Sequence, residues 1–147
     1  MEKTIKGLQS FGKLLGRIAL SAVFILAAVG KILDWDGTAH YMAAKGMTMI
    51  PLFLILAIIV ELLGGLALLV GFRTRIAAAI LLLFLIPVTG IFHDFWNAEE
   101  AQKQIQTIMF LKNLAIFGGL LYVVSSGPGG CSVDACRCKA DHVPKKL

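Results

Sequence analysis

Four stretches of the chain are almost wholly apolar, and polar residues collect between them. The pattern predicts helices at about 14–33, 51–72, 76–92 and 98–124. Each is near the roughly 20 residues that cross about 30 Å of hydrocarbon at 1.5 Å per residue. Residues 1–13 form a polar leading segment, residues 14–124 the membrane domain and residues 125–147 a glycine- and cysteine-containing tail. The first span follows a basic segment and has an uncharged core of signal-peptide length. Lys31 and Leu33-Asp34-Trp35 follow at once, which favours a retained helix over a cleaved leader.

The connections carry local signals. A short helix is expected over Thr38 to Lys45, capped by Thr38 or Asp36 and stopped at Gly46. Asn97 with Glu100 reads as a capping box, and Glu99 with Lys103 as an i,i+4 pair. Pro87 is expected to kink the third span, with Thr89 available to a freed backbone group. Trp35, Tyr41, Phe95 and Trp96 suit a membrane interface, as simple anchors or as part of a lid over a polar pocket.

Composition supports membrane insertion. Hydrophobic residues make up 58% of 147, against about 45–50% in soluble domains. Mean hydropathy is +0.83. The net charge of +5 comes from Lys and Arg flanking the apolar runs. No basic stretch is interleaved with aromatics as single-strand binding would need, so nucleic acid is excluded as a partner. Only Lys31, Lys45, Lys103 and Lys112 fall on the side opposite the N-terminus. The positive-inside rule therefore puts both termini in the cytoplasm, in a plasma membrane.

The fold class is thus an all-α, integral membrane four-helix bundle with a short cysteine-containing cytoplasmic tail. A faint repeat is compatible with a duplicated two-helix hairpin. RIALSAVFILAAVGKILDW (17–35) resembles RIAAAILLLFLIPVTGIFHDFW (75–96), and LGGLALLV (63–70) resembles FGGLLYVV (117–124).

Glu61 stands alone in LAIIVELLGGLALLV (56–70). A charge at a helix centre costs about 2.5–3.5 kcal/mol on insertion scales, so it is expected to be paired and functional. Spacing puts Glu61 on one face with Gly64, Gly65 and Leu68, and Lys112 with Ala115 and Gly119. Small residues mark packing faces. Counting depth from the outer ends makes Lys112 the expected partner of Glu61. With Lys31, Asp34, His93, Asp94 and Asn113, the pair would form one polar cluster in the outer half. Arg17 is a further candidate at the inner end. The pair either clamps two helices or serves a ligand or proton.

The pieces GRIALSAVFILAAVGKILD, ELLGGLALLVGFRTRIAA, FHDFW and LKNLAIFGGLL resemble the DoxX family of small four-helix membrane proteins. The resemblance covers most of residues 16–121 and singles out Arg17, Lys31, Glu61, Arg75, His93, Asp94, Lys112 and Asn113. It implies a subunit or accessory of a quinone-linked or thiol/sulfur redox complex, at most an oxidoreductase subunit that is not catalytic alone. No haem motif or intramembrane iron–sulfur cysteine framework is present, so electrons would come from a redox partner protein. Quinone is the implied ligand. A homo-oligomer is needed under the alternative of a proton-coupled solute carrier, and an assembly scaffold is a further alternative.

The resemblance stops before the tail, where Ser125 to Gly130 reads as a flexible linker. Cys131, Cys136, Cys138 and His142 follow. Three thiolates and an imidazole suit Cu(I) or Zn²⁺, although C-x4-C-x-C is not a standard zinc spacing. Free reduced thiols are the other reading.

Overall fold

The computed structural model describes residues 2–141. It is helical, with no strand among the described residues. Six helices follow one another: α1 (Glu2–Leu33), α2 (Trp35–Ala44), α3 (Ile50–Val70), α4 (Thr74–Phe92), α5 (Glu100–Ser126) and α6 (Val133–Asp141). The membrane-length helices are α1, α3, α4 and α5. The most extensive packing joins α1 to α3 and α4 to α5, so the bundle is two helical hairpins laid together.

The apolar runs dictate helices because hydrocarbon leaves no other way to satisfy backbone N–H and C=O groups. The central apolar cluster is formed by Phe24, Leu68, Ala78, Leu81, Leu85, Ile116, Leu120 and Val123. Leu63, Leu83, Ile108 and Leu114 remain exposed, as a lipid-facing surface requires. Small residues bring the backbones together. A Cβ on Gly64 would sit 2.8 Å from Leu81 Cδ2, and one on Gly65 2.9 Å from Ile25 Cγ1. Thus α3 packs against α4 through one glycine and against α1 through the next.

Several local expectations are corrected. α1 runs unbroken from Glu2 to Leu33, so the helix expected from about residue 14 begins earlier, within the leading segment. α2 begins three residues early, capped by Asp34, whose carboxylate accepts from Gly37 N at 3.1 Å. A Cβ on Gly37 would lie 2.4 Å from that carboxylate, so a side chain there would have to displace the cap. The Asn97 capping box is not made: α5 starts at Glu100 with Glu99 as an N-cap lacking a side-chain bond. Lys103 pairs with Glu100 at 3.0 Å instead of Glu99. α4 continues through Pro87, and Thr89 Oγ1 accepts from Asn113 Nδ2 at 3.1 Å.

The tail is the largest correction, since it is docked where a flexible linker was expected. α4 enters from a tight turn with Gly71 at φ 74° and Arg73 at φ 43°, and has no side-chain cap of its own. Asp134 supplies one from 60 residues away, accepting from Arg73 N at 2.8 Å, Thr74 N at 2.9 Å and Thr74 Oγ1 at 2.8 Å. A carboxylate is well placed there, against the positive end of the helix dipole. Asp134 N donates to Gly71 O, Gly130 N to Ser10 Oγ, and Lys13 Nζ to Ser126 O. Residues 10–17 and 126–134 therefore meet at one end of the bundle, the clasp end. Partial burial pushes the Asp134 carboxyl up, but the bonds from Thr74 and Arg73 outweigh it and hold it below its ordinary 3.8.

Two outcomes follow. Gly71→Ala is expected to destabilise the protein by at least about 1–3 kcal/mol, the cost of forcing a non-glycine residue into this conformation. Its Cβ would also lie 1.8 Å from Arg17 Nη1. Gly7→Ala, with nothing within 4 Å of its Cβ, should be neutral or stabilising in the same detergent melts. Asp134→Ala should speed amide exchange over 127–138 and cost about 1 kcal/mol as a lost cap. Because the folded Asp134 pKa is depressed, the clasp contributes fully above the ordinary value and is lost as pH falls through the lower folded-state value.

Candidate functional site

Glu61 lies on the buried face of α3 with Leu54, Gly65 and Leu68, and is 5% exposed. Its partner is Lys31, not Lys112. Lys31 Nζ donates to both carboxylate oxygens, at 2.9 and 2.8 Å. Lys31 sits two residues from the end of α1, roughly 3 Å by helical rise, while Glu61 is roughly 16 Å below the start of α3. Their contact therefore requires that the two helix ends be staggered. Lys112 is exposed on the outside of α5, and its ammonium contacts Met109 Sδ at 3.2 Å. The buried face of α5 is Asn113, Ile116, Leu120 and Val123, one residue on from the face assigned to Lys112.

The Lys31–Glu61 pair lines a cavity of about 430 Å³ at the loop end of the bundle. Leu54, Phe84, Val88 and Phe92 give it apolar walls. Asp34, Thr38, Tyr41 and His93 give it a polar rim. α2 closes one side, held where Tyr41 Oη donates to Phe92 O at 3.2 Å and the Tyr41 and Phe92 rings stack at 5.5 Å. The lid reading of Tyr41 thus has a structural counterpart, which its interface-anchor reading alone would not require.

The other candidates divide. His93 lines the cavity and bonds through Nδ1 to Gln106 Oε1 at 3.1 Å. Asp94 stands beside it in an ion pair with Lys45 at 2.6 Å. The bond from the Lys45 ammonium holds the Asp94 carboxyl below its ordinary range. Asn113 bonds to Thr89 in a separate cleft of about 240 Å³ between α4 and α5. Arg17 is at the clasp end, donating to Cys131 O. The single outer-half cluster is therefore two sites with Lys112 outside both, and Arg17 stands apart at the other end, as expected. Lys45 and Gln106 are the site neighbours that the sequence did not single out.

Cys131, Cys136 and Cys138 are exposed, and none of them is in a disulfide. Among the described residues no three His, Cys, Asp or Glu side chains are grouped to hold a metal. His142, the fourth candidate ligand, lies outside the described residues.

A small four-helix bundle with membrane-length helices and an intramembrane ion pair defines the class. The DoxX family model matches residues 12–94, and the chain belongs to that family. It is 40% identical over 131 residues to the inner membrane protein YqjF of Escherichia coli (strain K12), covering 88% of this chain and 95% of the relative. The inner membrane protein YphA of the same organism is 32% identical over 121 residues, 82% of this chain and 86% of the relative. A Surfeit locus protein 4 homolog of Schizosaccharomyces pombe is 29% identical over 131 residues, which span 86% of this chain but 37% of that protein. No solved structure matches the chain.

Removing one member of the ion pair should be worse than removing both. Lys31→Met leaves Glu61 buried and unpaired, and is expected to cost up to about 3 kcal/mol, the low end of the range for a broken buried pair because Lys31 keeps some exposure. Lys31→Met with Glu61→Gln should recover most of that loss in a double-mutant cycle of detergent melts. Lys112→Met should change stability little.

Proposed function

We propose that this chain is a membrane subunit or accessory of a quinone-linked redox complex, and that its loop-end cavity takes the quinone head group. The observation that carries the reading is a hydrogen-bonded Lys–Glu pair at the wall of an apolar cavity that α2 covers on one side. A quinone ring is flat and apolar, with two carbonyl oxygens that need donors. Phe84, Phe92 and Val88 suit the ring, and the Lys31 ammonium suits a carbonyl oxygen.

Reduction of a bound quinone to quinol takes up two electrons and two protons. The electrons come from a redox partner protein. Glu61, once protonated, passes a proton to a quinone oxygen, and Lys31 stabilises the carboxylate left behind. His93, on the cavity rim and hydrogen-bonded to Gln106, lies on the route by which Glu61 regains a proton.

The E. coli relatives are called inner membrane proteins, which supports a prokaryotic plasma membrane for this chain too. The clasp end carries Lys13, Arg17, Arg73, Arg75 and Arg137, which supports a cytoplasmic clasp with the cavity toward the opposite face.

Binding of a short-chain ubiquinone to the protein in nanodiscs tests the reading. Wild type should bind saturably, and Lys31→Met and Glu61→Gln should each weaken binding at least tenfold, about 1.4 kcal/mol. Equal and negligible binding by all three proteins would remove it.

A further inference from the structure

A second cavity, of about 710 Å³, opens at the clasp end between α1 and α5. Nothing in the quinone reading uses it. Leu20, Tyr122 and Val123 line its membrane-facing part, and Lys13, Arg17 and Ser126 its polar part. Gly12 and Gly16 form its floor along α1. Neither glycine has an atom within 4 Å of where a Cβ would stand, so these glycines do not serve close helix packing. They leave a groove.

Three buried side-chain polar atoms lack a hydrogen-bond partner among the described residues: Arg17 Nε, Arg17 Nη1 and Ser126 Oγ. All three belong to residues lining this one groove. Arg17 is 1% exposed, and its Nη2 donates to a neutral carbonyl, that of Cys131. Asp134, whose charge reaches Arg17, is engaged in capping α4. Among the described residues, a buried arginine and a lysine therefore line the groove with no carboxylate hydrogen-bonded to either. Buried unpaired donors and charges are costly enough that an unmet set in one place marks a missing partner.

We propose that the groove binds the head group of an anionic phospholipid, with the phosphodiester at Lys13 and Ser126, over Arg17, and an acyl chain along Leu20 and Val123. The groove combines a cationic, donor-rich end with an apolar run between membrane-length helices, which is the chemistry of such a lipid. Its end of the bundle also carries Arg73, Arg75 and Arg137, adding attraction for an anionic membrane surface. The Lys13 ammonium gives up its bond to Ser126 O, or shares it, when the phosphate arrives.

Native mass spectrometry of the full chain, released from nanodiscs of equal phosphatidylglycerol and phosphatidylcholine, tests the proposal. Wild type should retain phosphatidylglycerol at least tenfold over phosphatidylcholine. Gly16→Leu, which fills the groove from a helical position with open space, should abolish that preference while leaving the lipid-free melting temperature unchanged or raised. Lys13→Gln should cut it several-fold. Glycerol phosphate added in millimolar excess should not displace the lipid, because the acyl contact is part of the site. Equal retention of the two lipids by wild type would overturn the proposal. So would undiminished phosphatidylglycerol retention by a folded Gly16→Leu, or full displacement by glycerol phosphate.

Discussion

A carboxylate inside an apolar helix must find a cation, and the rest of this bundle is arranged around how Glu61 finds Lys31. The contact fixes the axial stagger of α1 and α3, because a residue near the end of one helix meets a residue well inside the other. Gly65 makes the approach possible, since any side chain there would strike Ile25. The stagger in turn leaves room beyond the end of α1, and α2 fills it. The cavity follows from the same fact: two charged side chains and their hydrogen bonds occupy a place where interlocking apolar groups would otherwise close the space.

The helices were legible because hydrocarbon permits few alternatives, and uninterrupted apolar length is itself the signal. The partner of Glu61 was not legible. Which cation reaches it depends on how far one helix is shifted along another, and neither helix encodes that shift alone. Lys112 was assigned inward by its spacing to Ala115 and Gly119, yet Asn113 one position later carries the buried face. Glycine marks a seam between two faces as readily as the centre of one. The docking of the tail is hidden in the sequence for a similar reason. Its glycines and serines read as a linker, but Asp134 caps a helix whose own sequence holds no capping side chain, and a cap borrowed from 60 residues away leaves no local pattern.

The two hairpins are alike in outline and different in chemistry. In the first, the polar bridge between helices is the charged pair Lys31–Glu61. In the second it is the neutral bond from Asn113 to Thr89. The glycines at 65 and 119 both abut α1, through Ile25 and Leu20 respectively. α1 thus contacts a small-residue position from each hairpin, and it alone supplies the lysine of the charged pair.

Arg17 belongs to the first membrane helix, yet the carbonyl that receives its hydrogen bond lies 114 residues later. During synthesis the helix carrying this guanidinium enters the bilayer long before residue 131 leaves the ribosome. Throughout that interval Arg17 depends on water or lipid phosphate at the membrane surface. The bundle can only seal this end once residue 131 has emerged, after all four membrane helices have been made. The clasp is therefore a record of order as well as a contact: it closes on a chain whose membrane helices are already in place.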